Sequence, residues 1–209
     1  MEDQTMTTAA FWDKAAEKYA KDPISDMESY TQTLDIMKDL LQPQHRVLEI
    51  GCGTGSTALE LAPQVDRYIG TDISSNMVEI ATEKLADTNL DHLSFQVAQA
   101  HDLPGTGHDV VLALNLLHLV ENMGETLGSI YDALPSGGIF ISKSALLGEG
   151  SWYLGPMIAL MRAVGKAPFV ARFSEAELIR MMEHAGFTIT QTIKQDGMAP
   201  RLFVVAQKP

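Results

Sequence analysis

Cysteine is almost absent. Cys52 is the only one in 209 residues, so neither an internal disulfide nor a multi-cysteine metal site can form. Positive charge is also scarce: 15 Lys and Arg stand against 27 Asp and Glu, a formal charge of −12. No Lys/Arg cluster is visible, and nucleic acid, whose phosphates such a surface would repel, is not an expected partner. Long apolar runs are missing as well. The longest, Val110 to Val120, contains Asn115 and His118 and is far too short to span a bilayer. The amino-terminal MEDQTMTTAA lacks the basic start and apolar core of a signal peptide, so a cytoplasmic protein is expected. No repeat, low-complexity segment or metal-ligand cluster appears. What remains is ordinary for a globular chain: 45% hydrophobic and 20% charged residues, enough for one domain with a sizeable core.

The informative stretch is Arg46 to Ala62, RVLEIGCGTGSTALELA. Val47, Leu48 and Ile50 suit a short strand buried on both faces of a parallel sheet. Gly51, Cys52, Gly53, Thr54 and Gly55 form a turn in which positive φ and a missing Cβ let a ligand lie against bare backbone. Ala58, Leu59, Leu61 and Ala62 then continue at helical spacing until Pro63. A dinucleotide fingerprint, G-x-G-x-x-G, would need its third glycine where Ser56 stands. Glu49, just before the turn, would repel a pyrophosphate and suits a ligand with a cationic end. Cys52 reads as a small spacer, at a helix start that would lower its pKa.

E-x-G-x-G-x-G after an apolar strand resembles motif I of the class I S-adenosylmethionine-dependent methyltransferases, whose ligand carries a sulfonium and an ammonium but no phosphate. The resemblance implies S-adenosylmethionine as cofactor and S-adenosylhomocysteine as its product. Asp72 follows Gly51 at about the distance where an acid binds ribose hydroxyls; it also stands at a helix entry that Ser74 or Ser75 can cap. Ile73 and Met77 are placed to flank the adenine, though Met77 suits the core equally. The family's acidic contact to the adenine amino group aligns with Gln99; Ala100, His101 and Asp102 lie beside it. The string W-D-x-x-A-x-x-Y resembles the leader of small-molecule members, which puts Tyr19 where a tyrosine reaches the cofactor carboxylate, with aromatic packing of a lid as the alternative. D-V-V-x-A-x-N-x-L-H resembles the fourth-strand region, placing Asn115 near the amino-acid end of the cofactor. His118 is the one candidate general base, and a packing role for it is the competing reading.

Along the chain, residues 1 to about 7 look untethered. Helices are expected over Phe11–Ala20 and, opened by a Ser25/Glu28 capping box, up to Pro43. Strands are expected at Arg67–Asp72, His92–Val97, His108–Leu114, Ile139–Ala145, Phe187–Lys194 and Arg201–Ala206. Helices are expected at Gly124–Leu134, Leu154–Val164 and, behind a Ser174/Glu177 capping box, up to Gly186. Strand–helix alternation implies a doubly wound, mostly parallel sheet with helices on both faces. A turn at Asp196-Gly197 makes the seventh strand antiparallel.

The organisation expected is one methyltransferase domain over 1–209, with an amino-terminal helical cap (1–42), a cofactor-binding core (43–146), a lid insert after strand five (147–173) and a final helix with hairpin (174–209). Arg162, Lys166 and Arg172 give the insert a local positive character. The partner expected is a small-molecule acceptor, with neither nucleic acid nor membrane, and the oligomeric state is open between monomer and homodimer. Two rival readings are a non-catalytic protein of this fold that binds the cofactor or a partner, and a nicotinamide-dependent oxidoreductase.

Overall fold

The computed structural model describes residues 2–24, 26–149, 153–163, 167–197 and 199–209. Contacts divide the chain into two compact units, Met1–Gln99 and Ala100–Pro209.

The first unit opens with helix α1 (Glu2–Lys21) and helix α2 (Met27–Leu40). α1 begins earlier than expected, taking in residues read as untethered. α2 is capped by Asp26, whose side chain accepts from the Ser29 N–H; Ser25, the expected cap, lies outside the described residues. Strands β1 (Arg46–Ile50), β2 (Arg67–Asp72) and β3 (Leu93–Val97) run parallel in the order β3-β2-β1. Val47, Leu48, Glu49 and Ile50 are all buried, as expected of a strand covered on both faces. Helix α3 (Ser56–Leu61) follows the glycine turn, and helix α4 (Ser75–Ala86) follows β2. Ser74 caps α4, accepting from the Met77 N–H at 3.1 Å. The Phe95 ring on β3 lies beside two glycines: a Cβ on Gly55 would stand 2.7 Å from it, and one on Gly70 2.6 Å. Both positions must lack a side chain for that ring to seat.

In the second unit, β4 (Val110–Leu114) and β5 (Ile139–Ala145) are parallel. β7 (Arg201–Gln207) inserts antiparallel between β5 and β6 (Thr188–Gln195), giving the order β4-β5-β7-β6. β4 starts two residues later than expected. Gly105 and Gly107 hold positive φ, and the Gly107 and His108 N–H groups donate to the Ala133 carbonyl, which keeps this approach a loop. Helix α5 (Met123–Ala133), α6 (Leu154–Ala163) and α7 (Glu175–His184) complete the unit. α7 carries the expected reciprocal Ser174/Glu177 capping box. Tyr131, Phe140 and Phe187 pack at centroid spacings of 5.3 Å beneath the hairpin. Seven strands, six parallel and the last antiparallel, flanked by helices, make the doubly wound class read from the sequence. Among the described residues no helix is long and apolar enough to cross a membrane.

Candidate functional site

The site in the first unit is built on the β1–α3 turn. Gly51, Gly53 and Gly55 all sit in the left-handed region, at φ of 69°, 53° and 76°. An L side chain there costs about 1–2 kcal/mol per residue, so the run of three needs glycine. A Cβ on Gly53 would meet only Tyr19, at 3.8 Å, and the turn therefore presents bare backbone beneath one aromatic ring.

Asp72, at the end of β2, ties the turn to the next helix. One carboxylate oxygen accepts from the Gly53 N–H and the other from the Ser74 N–H, both at 2.9 Å. Each oxygen keeps a further lone pair. Burial raises the Asp72 pKa against the lowering effect of these bonds. Asp72 thus serves at once as a helix-entry residue and as an acceptor beside the turn.

Glu49 is 2% exposed and accepts from the Tyr68 hydroxyl at 2.9 Å. Among the described residues it makes no ion pair. Burial pushes its pKa from 4.5 up to about 7; the Tyr68 bond opposes this and the Asp72 charge adds to it. A carboxylate held this way is short of a cation. The thiol of Cys52 is pushed well above its ordinary range, by burial first and then by Glu49 and Asp72. This corrects the expectation of a lowered pKa at the helix start: the neighbouring acids and the loss of water outweigh the dipole of a six-residue helix. Cys52 is a buried spacer, 3.7 Å from the Gly53 carbonyl.

Tyr19 is 55% exposed; burial, then the charges of Asp72 and Glu49, raises the pKa of its hydroxyl. Ile73 is half-buried and Gln99 exposed. Met77 is 2% exposed and belongs to the core, the second of the two roles read for it.

Sequence reasoning missed three residues of this unit. The Lys84 ammonium, from α4, donates to the Thr54 carbonyl and hydroxyl at 3.0 Å each and braces the turn from outside. Tyr68 holds Glu49, and Asp13 on α1 binds the start of α4. A buried tyrosine in register with β1 was the available signal for the second; Asp13 is the acidic position of the W-D-x-x-A-x-x-Y string, and no local pattern marks Lys84.

In the second unit, Asn115 ends β4 with φ of 55°, the one left-handed non-glycine among the described residues. Its N–H donates to the Lys143 carbonyl at 2.7 Å, and its side chain is exposed. Asparagine tolerates that conformation, and strain of this kind gathers at functional sites. Ala100 and His101 open this unit; the His101 carbonyl accepts from the Ser129 hydroxyl at 2.8 Å. His118 lies in a 3₁₀ turn, Leu117–Leu119. Its Nδ1 accepts from the Ala145 N–H at 3.4 Å and its carbonyl from the Ala171 N–H at 2.7 Å. The ring proton is therefore left on Nε2. Burial, then the Arg201 charge, pushes its pKa down from 6.5 to about 4. A neutral imidazole whose free nitrogen bears the proton is a donor and a brace between segments, and a poor proton acceptor.

Residues 48–140 match a family model described as a methyltransferase domain. An uncharacterized methyltransferase of Bacillus subtilis, YcgJ, is 28% identical over 138 residues, covering 65% of this chain and 54% of the relative. The highly reducing polyketide synthase NEC1 of Pyricularia oryzae is 31% identical over 147 residues, 63% of this chain but 5% of that protein. The chain thus spans about half or less of these relatives. Among solved structures, YcgJ superposes with a TM-score of 0.72 at 17% identity, over 85% of this chain and 98% of that one. A Haemonchus contortus phosphoethanolamine N-methyltransferase 2 in complex with S-adenosyl-L-methionine gives 0.74 at 17% identity, over 86% and 53%. The [4+2]-cyclase SpnF shares the fold too, at 0.71 and 18% identity, over 85% and 81%. The domain match places residues 48–140 with the methyltransferases, and the fold is that of their class I, Rossmann-like members.

Proposed function

We propose that the protein transfers the methyl group of S-adenosylmethionine to a small-molecule acceptor. The observation that carries this reading is the buried Glu49, without a cation among the described residues, behind a glycine turn of three left-handed residues tied to Asp72. The donor set fits the cofactor: a carboxylate for its ammonium, a second for its ribose hydroxyls, and bare backbone for its chain. Within the first unit, Gly51, Cys52, Gly53 and Gly55 would supply the backbone, Asp72 would accept from the ribose, Tyr19 would reach the carboxylate, and Ile73 and Gln99 would border the adenine. When bound, the cofactor supplies an electrophilic methyl on a sulfonium. The residues themselves bind, orient and exclude water. His118 acts as a brace, and the acceptor needs no dedicated base from it.

Small-molecule acceptors are also named for structural neighbours, including phosphoethanolamine and geranyl diphosphate methyltransferases. Because a cyclase shares the fold, fold alone does not establish methyl transfer. The test is thermal stabilisation by S-adenosylmethionine, S-adenosylhomocysteine and NAD. A ligand at ~100 times its Kd adds roughly 2.7 kcal/mol. A shift with the first two alone supports the reading and justifies an acceptor screen. A shift with NAD alone overturns it, and cofactor binding without product over a broad acceptor panel points to the non-catalytic alternative.

A further inference from the structure

α1 is joined to the glycine turn by an unbroken hydrogen-bonded chain. Asp13 Oδ1 accepts from the Ser74 hydroxyl at 2.6 Å, from the Asn76 N–H at 3.2 Å and from the Ser75 hydroxyl at 3.4 Å. In return, the Asn76 amide donates to the Asp13 carbonyl at 3.1 Å. Ser74 is fully buried; its N–H donates to Asp72, whose other oxygen accepts from Gly53. A negative side chain at the first turn of α4 is also where the helix dipole favours it. Six residues along α1 from Asp13, Tyr19 covers the position a Gly53 Cβ would take, at 3.8 Å. Trp12 meets the Tyr19 ring edge-on, with centroids 6.5 Å apart. Ala16, between them, is 1% exposed, and Phe11, Trp12 and Ala15 on the same helix are half-buried. Apolar packing of this kind is non-directional, whereas the bonds between Asp13 and the first turn of α4 fix where α1 lies along that helix, and Tyr19 is carried with it.

We propose that Asp13 is a positioning residue: by bonding the first turn of α4 it seats α1 so that Tyr19 lies over the glycine turn. This rests on the reading that the turn holds S-adenosylmethionine. Asp13 does not itself touch the ligand; it acts through Tyr19.

The test is a double-mutant cycle on the full chain, read by calorimetry with S-adenosylhomocysteine. Asp13→Ala and Tyr19→Ala are each expected to weaken binding about tenfold, and the double variant also about tenfold rather than about a hundredfold, because residues acting through one contact are not additive. Asp13→Asn keeps an oxygen for Ser74 and Asn76 and is expected within about twofold of wild type. Hydrogen exchange over residues 8–21 of the ligand-free protein is expected to rise in Asp13→Ala and not in Tyr19→Ala, with α4 unchanged. Asn76→Ala, which loses one bond to α1 but keeps the Ser74 cap, gives a smaller rise and serves if Asp13→Ala fails to fold. Additive losses, wild-type affinity in Asp13→Ala, or unchanged exchange in both anchor variants would overturn the proposal. Wild-type protein that binds no S-adenosylhomocysteine would instead defeat the functional reading, while exchange would still report whether Asp13 seats α1.

Discussion

Replacing Glu49 by Gln should stabilise the empty protein and weaken its grip on the cofactor. In the folded chain this carboxyl keeps its proton up to about pH 7, whereas the unfolded chain releases it near 4.5. The folded state thus binds more protons between those values, so stability falls as pH rises through that window. A gap of this size, at about 1.4 kcal/mol per unit, costs about 3 kcal/mol once the pH exceeds 7. Gln keeps a carbonyl for the Tyr68 hydroxyl and carries no charge. Glu49→Gln should therefore gain up to about 3 kcal/mol at pH 8, roughly 6–12 °C in Tm for a chain of this length, and little at pH 4. Binding should move the other way. A hydrogen bond to a charged group contributes about 1.5–3 kcal/mol, so S-adenosylhomocysteine should bind roughly 10–100-fold more weakly. Scanning calorimetry across pH 4–8 and titration calorimetry at pH 7.5 read the two effects. A variant less stable than wild type at pH 8 would refute the argument that the ionised carboxylate is an uncompensated charge. Unchanged affinity would refute its role toward the ligand's cation.

Three further perturbations probe the other parts. His118 should titrate near pH 4 in an imidazole NMR experiment, remaining neutral from pH 5.5 to 8; because its folded pKa is depressed, stability is lost as pH falls from 6.5 toward 4. His118→Asn, which keeps an acceptor for the Ala145 N–H, should hold turnover within about threefold, whereas a loss near the ~10²–10⁴-fold typical of a general base would restore that role. Gly55→Ala places a Cβ 2.7 Å from Phe95 and 2.9 Å from Ala81 at a φ of 76°, so a Tm measurement should show a loss of about 2–5 kcal/mol. Lys84→Met leaves the Thr54 carbonyl and hydroxyl without their ammonium; a stability loss of about 1–3 kcal/mol with weaker S-adenosylhomocysteine binding is expected, and wild-type affinity would show that the brace does not shape the turn.

Local rules carried the sequence reading as far as local chemistry reaches. The bounds of β2 and β5 matched the expected strands because apolar runs and turn residues delimit them. Ser74 and Ser174 cap as expected, since a cap needs only the backbone a turn away. At α2 the described cap is Asp26, the neighbour of the Ser25 expected from the sequence; both are cap formers, and periodicity does not choose between neighbours. At His108–Asp109 the expected strand began two residues too early, because two left-handed glycines just before it and a carbonyl from α5 decide that path.

What no window of sequence contains is the second partner. Asp13 and Ser74 stand 61 residues apart, Lys84 and Thr54 30, Tyr68 and Glu49 19. Each pair joins a residue beside or within the motif to one that propensity treats as an ordinary surface or strand position. The role of His118 turns on the same point. Its place in the string that resembles the family's fourth-strand region made it a candidate base, but an N–H from the end of β5 fills the nitrogen that would have accepted a proton. Glu49 shows the converse. Its charge and place in the motif already spoke against a pyrophosphate; the fold adds that the acid is sealed beside a phenol and near a second carboxylate, without a cation of its own among the described residues. An acid so placed raises the energy of the empty site, and a ligand that brings positive charge relieves that cost on binding. Stability and affinity are opposed at this one position, which is why Glu49→Gln separates them.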